Sequence, residues 1–168
     1  EKPLARTTAD CKKAIAAAKK GKVKLFVGHV VRYFHEFEGM KAQIDAGKVG
    51  EPGYVKIYRG GMFPGGPKGW FANYDMSGGV TFDCAIHDMD WVRYVFGEPE
   101  RIFCQALLKN KPASPVAESP YQREWEDFIA WVHDDKHQPR VTANDALIAV
   151  KMAEGALKSS ATGKPVKL

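Results

Sequence analysis

The chain has 168 residues, of which 45% are hydrophobic and 27% charged, a composition ordinary for a soluble globular protein. Its formal net charge of +5 is spread over helices and loops without an arginine-rich stripe or interleaved aromatic residues, which disfavours nucleic acid as a partner. No apolar run approaches the roughly 20 residues of a membrane span, and no apolar signal core follows the first residues, so we expect a cytoplasmic protein without membrane contact. Three cysteines, an odd number, disfavour a disulfide framework.

The first predicted elements form one α/β unit. Residues 7–10 (TTAD) offer N-cap side chains for a helix that Gly21 ends, because glycine tolerates a positive φ. The short apolar run 23–28 (VKLFVG) predicts a buried strand. A helix followed by such a strand is typical of a βαβ unit, so the chain is predicted to begin inside an α/β domain.

Helices and short strands alternate in the remainder of the chain. The predicted helices are 34–46, 79–96, 118–134 and one that Thr142 caps and 163–165 ends, and the predicted strands are 53–59 and 101–108. Residues 60–77 are predicted to form a long loop, and loops of that length are usually functional. Two strands make a marginal sheet by themselves, so either the helices carry the fold or strands are missing.

The segment 78–91 (GGVTFDCAIHDMDW) is the densest in side chains with chemical potential. In a helix, Asp83 and His87 lie four residues apart on one face. A carboxylate beside an imidazole holds it in one tautomer and favours its protonated form, which makes a general base. The same spacing also fits a helix-stabilising pair at a surface, and both interpretations stay open.

A metal site is the rival interpretation of this segment. Asp83, Cys84, His87 and Asp90 all have ligand chemistry. The segment has only one histidine, however, and no second cluster has clear ligand spacing. We therefore predict no metal site.

Several short motifs follow one another in a specific order: 1–3 (EKP), 27–34 (VGHVVRYF), 47–52 (GKVGEP), 78–90 (GGVTFDCAIHDMD), 97–99 (GEP) and 163–166 (GKPV). Together they resemble the glucose-fructose oxidoreductase / inositol dehydrogenase (Gfo/Idh/MocA) family of NAD(P)-dependent enzymes. The resemblance runs over nearly the whole chain, and the ordered set is far more specific than any single motif.

The resemblance implies that Lys2, Asp83 and His87 are catalytic and meet over a nicotinamide ring. They would oxidise a secondary alcohol of a sugar or inositol-like polyol, with NAD or NADP as the cofactor. His87 would accept the hydroxyl proton, Asp83 would orient His87 or bind a substrate hydroxyl, and Lys2 would donate to the same oxygen. Lys2 and Pro3 would also border the cofactor, and their peptide bond is expected to be cis.

Arg32, Trp70 and Asp90 are the predicted substrate-binding residues. For Arg32, a structural salt bridge is an equally good interpretation, given how arginine is used in ion pairs. Trp70, together with Phe71 and Tyr74, would either wall the substrate pocket or pack against a partner subunit.

The implied fold is α+β. Residues 1–27 would be the C-terminal remnant of an NAD(P)-binding Rossmann domain, that is, its last α/β unit. Residues 28–168 would be a substrate-binding and oligomerisation domain, an antiparallel sheet with helices on one face. Relatives associate through that sheet, so we expect a homodimer or homotetramer.

Two departures from the family pattern bear on activity. A Gly-x-Gly-x-x-Gly fingerprint occurs nowhere in the sequence, and relatives have further strands where this chain passes from Leu108 to Glu118. We therefore expect the 168-residue chain alone to be inactive. A non-catalytic oligomerisation or regulatory module and an NAD-dependent glycosidase of the same family remain the alternative functions.

Overall fold

A computed structural model of the chain describes residues 1–60, 67–105, 121–134 and 136–168. Six α-helices and two short strands lie in these ranges: α1 (Thr8–Gly21), α2 (His35–Asp45), α3 (Tyr74–Ser77), α4 (Ile86–Phe96), β1 (Arg101–Ile102), α5 (Tyr121–His133), α6 (Ala143–Thr162) and β2 (Val166–Lys167). Two 3₁₀ turns, Val30–Tyr33 and Pro67–Ala72, and a π-helical turn, Thr81–Ala85, complete them. No helix in these ranges has the length and apolar character needed to cross a membrane.

The helix α1 begins as predicted and ends one residue later than predicted. The Thr7 side chain accepts a hydrogen bond from the backbone N–H of Asp10 at 3.1 Å, which satisfies a donor of the first turn. Gly21, however, is the last helical residue, and Lys22 takes the left-handed conformation with φ of 53°. The backbone N–H of Lys22 donates to the carbonyl of Lys19, and the N–H of Val23 donates to the carbonyl of Ala18. The capping hydrogen bonds therefore form around a residue that is not glycine.

The helix α6 is the element against which both α1 and α4 pack. Thr142 and Asp145 form a capping box at its start, in agreement with the predicted cap. Small side chains on α6 let its neighbours approach closely. The resulting core cluster contains Cys11 from α1, Phe82 and Ile86 from the 81–96 helix, and Ala149, Val150 and Ala153 from α6. Through α6, the beginning of the chain is therefore placed beside the helix that carries Asp83 and His87.

In the described residues, the predicted antiparallel sheet is a ribbon of two strands. β1 and β2 are antiparallel, with Arg101 opposite Lys167 and Ile102 opposite Val166. The ribbon lies on α6 at Gly155, where a Cβ atom would come within 2.9 Å of Ile102. Helices with a small antiparallel sheet confirm the α+β class in this coarse form, whereas a Rossmann unit is not shown.

The predicted strands 23–28 and 53–59 are not strands in the structure. A strand is stable only where a neighbouring strand completes its hydrogen bonds, and no described residue pairs with either segment. Tyr54 and Tyr58 are accordingly 82% and 87% exposed. The third prediction, 101–108, holds only for Arg101–Ile102: 103–105 are irregular, and 106–108 lie outside the described residues.

The helix predicted over 79–96 has an unpredicted beginning. Gly78 and Gly79 have positive φ values of 79° and 71°, and a π-helical turn, Thr81–Ala85, leads directly into α4. Turns of this kind are rare and occur frequently at functional sites. The helices predicted over 34–46 and 118–134 are present as α2 and α5, although 118–120 lie outside the described residues.

Candidate functional site

Lys2 contacts Asp83, although 81 residues separate them in the chain. Its Nζ donates to Asp83 Oδ1 at 2.9 Å and also to the backbone carbonyl of Asp83. Both side chains are mostly buried, with 16% and 12% of their surfaces exposed, so this ion pair is less screened by salt than a surface pair. The Lys2–Pro3 peptide bond is cis, as predicted.

A cavity of about 610 Å³ opens beside this ion pair. Lys2 and His87 both line it, so the first residues of the chain and the predicted general base border the same cavity. The other lining residues are mainly apolar or aromatic, with a few charged groups: Glu1, Lys24, Leu25, Phe26, Gly28, Val30, Glu124, Trp125 and Phe128. Apolar walls with a few convergent polar groups are typical of small-molecule sites.

The predicted contact between Asp83 and His87 is absent. The Asp83 carboxylate accepts a hydrogen bond from Lys2. The Nδ1 atom of His87 is buried without a hydrogen-bond partner in the described part of the chain. Asp83 lies in the π-helical turn Thr81–Ala85, and His87 follows it in α4.

His87 is also held in the opposite protonation state from the one predicted. Burial, followed by the positive charge of Lys2, lowers the pKa of His87 to about 3. The ring is therefore neutral near neutral pH, and one of its nitrogens has a free lone pair. The ring therefore keeps a lone pair that can accept a proton, but a pKa this far below neutral makes it a weak base in this structure.

Arg32 and Asp90 pair with each other in the core, although both were predicted to bind substrate. The guanidinium donates to the two Asp90 carboxylate oxygens at 2.7 and 2.6 Å, and a further N–H donates to the carbonyl of Arg140 at 2.6 Å. Arg32 is 3% exposed and Asp90 is 0% exposed. Neither residue lines the cavity, so the structure agrees with the salt-bridge interpretation of Arg32.

Trp70 also lies outside the wall of this cavity. Its ring packs edge-on against Phe71, with centroids 5.1 Å apart, and the side chain is 37% exposed. The Tyr74 ring lies against the glycine pair, 3.0 Å from where a Cβ atom of Gly79 would stand. No contact described here connects the three aromatic residues to His87, and packing against a partner subunit remains a prediction.

Three polar residues near the site were missed by sequence reasoning. His29 is fully buried and faces His87 at right angles, with ring centroids 5.8 Å apart. Glu124 lines the cavity, and burial raises the pKa of its carboxyl group. Arg59 donates to both carboxylate oxygens of Asp88 at 2.7 and 2.6 Å. A histidine within the apolar run 27–31 was the one available signal, since buried histidines need a reason.

Residues 37–159 match the family model of the GFO/IDH/MocA C-terminal domain. The chain therefore belongs to the Gfo/Idh/MocA family, and several of its relatives are named dehydrogenases or oxidoreductases.

Curated relatives include two inositol dehydrogenases. Myo-inositol 2-dehydrogenase of Thermotoga maritima is 35% identical over 109 residues, which are 64% of this chain and 31% of that protein. The scyllo-inositol 2-dehydrogenase (NAD(+)) of Bacillus subtilis is 36% identical over 97 residues, 58% of this chain and 27% of that protein. The chain thus spans about a third or less of the curated relatives it matches.

Solved structures share the fold over the whole chain. A probable dehydrogenase from Thermotoga maritima superimposes with a TM-score of 0.82 at 22% identity, covering 99% of this chain and 72% of that one. GenD2 from gentamicin A biosynthesis, in complex with NAD, superimposes with a TM-score of 0.77 at 17% identity. The match covers 100% of this chain and 70% of that one.

Proposed function

We propose that this chain is the catalytic and substrate-binding half of an NAD(P)-dependent oxidoreductase. It transfers hydride between a secondary alcohol of a sugar or inositol-like polyol and the nicotinamide cofactor. The observation that carries the proposal is the shared cavity: Lys2, held by Asp83, and neutral His87 both line it. Two relatives are named inositol dehydrogenases, which supports the substrate class.

The proposed division of the chain follows the same argument. Residues 1–27 belong to the nucleotide-binding domain, and residues 28–168 form the substrate-binding and oligomerisation domain. Exposed aromatic side chains at Tyr54, Tyr58 and Phe103 support association of two or four copies through the sheet side of the domain.

The cavity fits the nicotinamide end of the cofactor. Phe26 and Phe128 offer apolar surface to a planar ring, and Glu124 Oε1, a buried acceptor without a partner in the described residues, suits an amide N–H. Lys2 and Pro3 would border the ring. When bound, the nicotinamide supplies the hydride acceptor. The sequence holds no Gly-x-Gly-x-x-Gly turn for the pyrophosphate, which we assign to a part of the protein outside these residues.

The residues of this chain accept the proton of the substrate hydroxyl and stabilise the oxygen that loses it. The substrate O–H bond breaks and its proton passes to His87, while the electron pair of that bond forms the carbonyl and hydride leaves the same carbon. Lys2 donates a hydrogen bond to the oxygen and stabilises the negative charge that develops there. Asp83 is a positioning residue in this scheme, because it contacts Lys2 and not His87.

The test uses the intact protein, a panel of polyols deuterated at the reacting carbon, and both NAD and NADP. We expect deuterium to appear in the reduced cofactor, and His87→Gln to lower kcat by about 10²–10⁴-fold without weakening cofactor binding. His133→Gln, at an exposed position on α5, is the matched control and should retain full turnover. Near-normal kcat in His87→Gln would remove the assignment.

The same assays separate the two alternative functions. A regulatory or oligomerisation module would bind no NAD(H) even in the intact protein. A glycosidase would release the aglycone from an aryl glycoside without net reduction of the cofactor.

A further inference from the structure

Glu124 places an unsatisfied hydrogen-bond acceptor in the lining of the cavity. Its Oε1 atom is buried and accepts no hydrogen bond from any described residue. The side chain lines the same cavity as Lys2 and His87. Buried side-chain oxygens are almost always hydrogen-bonded in native proteins, and leaving one unpaired costs free energy. The Oε1 atom is therefore available to accept a hydrogen bond from a molecule bound in the cavity.

Gly28 makes the room that this carboxyl group occupies. A Cβ atom at residue 28 would stand 2.5 Å from Oε1 of Glu124, 3.3 Å from its Cδ and 3.5 Å from its Oε2. The φ angle of Gly28 lies outside the left-handed region, so the backbone conformation does not itself require glycine. The close approach of the Glu124 carboxyl group is the feature that does, and any side chain at residue 28 would displace that group.

The same two segments of the chain place an aromatic pair next to the carboxyl group. Phe26 lies two residues before Gly28, and Phe128 lies one turn after Glu124 on α5, about 5.4 Å along the helix axis. The two rings are in contact, with centroids 5.2 Å apart, and both line the cavity. An apolar surface beside one acceptor complements a flat apolar ring that carries an amide. A polyol, whose hydroxyl groups need partners on most sides, matches the phenylalanine surfaces less well.

We propose that Glu124, in the space that Gly28 leaves, selects the carboxamide form of the nicotinamide cofactor, because its Oε1 accepts a hydrogen bond from the carboxamide N–H. The inference rests on the proposed function and extends it to the forms of the cofactor that the site rejects. A carboxylate at the same position of the ring would bring two acceptors together without a proton between them. An acetyl group at that position would offer no N–H.

The charges around Glu124 favour a donor and disfavour a second anion. Burial, the largest effect, raises the pKa of the Glu124 carboxyl group, the amino terminus lowers it, and Glu1 raises it. An N–H that donates to the carboxylate stabilises its charged form and so offsets the burial. The two lysines of the cavity already have acceptors: Lys2 donates to Asp83, and Lys24 donates to backbone carbonyls of α5.

Equilibrium dialysis of the intact protein tests the selection without any turnover. Three dinucleotides are compared that differ only in the substituent of the pyridine ring: the carboxamide, the carboxylic acid and the acetyl form. They are taken from the NAD or the NADP series, whichever the protein binds more tightly. We expect the carboxamide form to bind about tenfold more tightly than either analogue, since a hydrogen bond to a charged group is at stake. Equal affinities for the three forms, or no binding, would overturn the proposal.

Two substitutions change the acceptor in different ways. Glu124→Gln keeps the size of the side chain, removes its charge and adds a donor for the carboxylic acid form. Gly28→Ala keeps the charge and displaces the carboxyl group. We expect both to bring the affinity ratio of the carboxamide and acid forms close to one. Added to Glu124→Ala, Gly28→Ala should have no further effect, because the carboxyl group that it displaces is gone. An undiminished ratio in Glu124→Gln would overturn the proposal.

The helix α2 supplies matched controls for both substitutions. Glu36 is exposed, and a Cβ atom at residue 39 would meet no described atom within 4 Å. Glu36→Gln and Gly39→Ala should therefore retain the wild-type affinity ratio. A comparable loss of the ratio in these controls would also overturn the proposal, because the selection would then not depend on the carboxyl group in the cavity.

Polyol oxidation, measured in parallel, separates this inference from the proposed function. If Glu124→Gln loses the affinity ratio and the wild-type protein oxidises no polyol, the proposed function fails and the role of Glu124 is supported. If the wild-type protein oxidises a polyol, and Glu124→Gln raises the KM of that polyol while keeping the ratio, the carboxyl group contacts the substrate. That result overturns the inference and leaves the proposed function in place.

Discussion

Arg32 donates two hydrogen bonds to Asp90 inside the core, at 2.7 and 2.6 Å. The pair joins the 3₁₀ turn Val30–Tyr33 to α4 and so fixes the segment that carries His29 against the helix that carries His87. Planar guanidinium and carboxylate groups in this two-bond geometry tolerate little displacement. The ion pair therefore stabilises the packing of these two segments, although neither of its residues lines the cavity.

Removal of Asp90 should strongly destabilise the fold. Asp90→Ala leaves the Arg32 charge buried with Asp145, 3.6 Å away, as the one remaining carboxylate partner among the described residues, so we expect a loss of about 3–5 kcal/mol in the free energy of unfolding. The control is Asp45→Ala, which removes the exposed Lys41–Asp45 pair of α2 and should cost less than about 0.5 kcal/mol. Urea denaturation measures both, and equal losses would contradict the structural role.

Gly78 should be far less replaceable than another glycine of similar backbone conformation. Its φ is 79°, and an added Cβ atom would stand 2.8 Å from the Cβ of Phe82, a core residue. Gly47 has a φ of 69° and open space around it, so Gly47→Ala would introduce backbone strain but no steric clash. We expect Gly78→Ala to lose about 1–3 kcal/mol more than Gly47→Ala in urea denaturation. Indistinguishable losses would mean that the contact with Phe82 is not close.

Acid should destabilise the wild-type chain partly through His87. The folded ring has a pKa near 3 and stays neutral, while the unfolded ring binds a proton below about pH 6.5. The unfolded state thus binds more protons between these values, so stability falls as the pH falls through this window. His87→Gln should flatten the dependence of the urea midpoint on pH between 6.5 and about 3. Parallel curves for variant and wild type would show that the ring is accessible to protons in the folded state.

The 168-residue chain should bind NAD(H) negligibly by itself. The pyrophosphate of a dinucleotide is normally held at a helix N-terminus that follows a Gly-x-Gly-x-x-Gly turn, and the sequence contains no such turn. Calorimetric titration should give no measurable heat at micromolar chain concentration, with the intact protein as the positive control. Micromolar affinity of the 168-residue chain would show that the cavity residues suffice for cofactor binding.

Local signals predicted the helices well. The caps at Thr7 and Thr142 depend on side chains within three residues of the helix start, and both caps are present. The strand predictions failed at 23–28 and 53–59 because an alternating or apolar pattern shows only that residues suit a strand. Whether a strand forms is decided by a neighbour elsewhere in the chain.

Of the predicted site residues, Lys2 and His87 line the cavity, whereas Arg32, Trp70 and Asp90 do not. Motif resemblance placed Lys2 beside Asp83, and the ion pair is present. The π-helical turn Thr81–Ala85 was not predictable, since apolar spacing in five residues does not distinguish i→i+4 from i→i+5 bonding. The burial of Arg32 depends on a partner 58 residues away, which no local pattern reports.

The central position of α6 also sets the order in which the site can assemble on the ribosome. Lys2 and Asp83 are synthesised before α6, but α1 and α4, the α-helices that follow them in the chain, pack on this helix, which ends at Thr162. Until the ribosome has released that helix from its exit tunnel, the two halves of the site have no common surface on which to dock. Domains generally fold as units during synthesis. The ion pair and the cavity therefore form after α6 has emerged, and a nascent chain paused before Ala143 would contain Lys2, Asp83 and His87 without their arrangement in space.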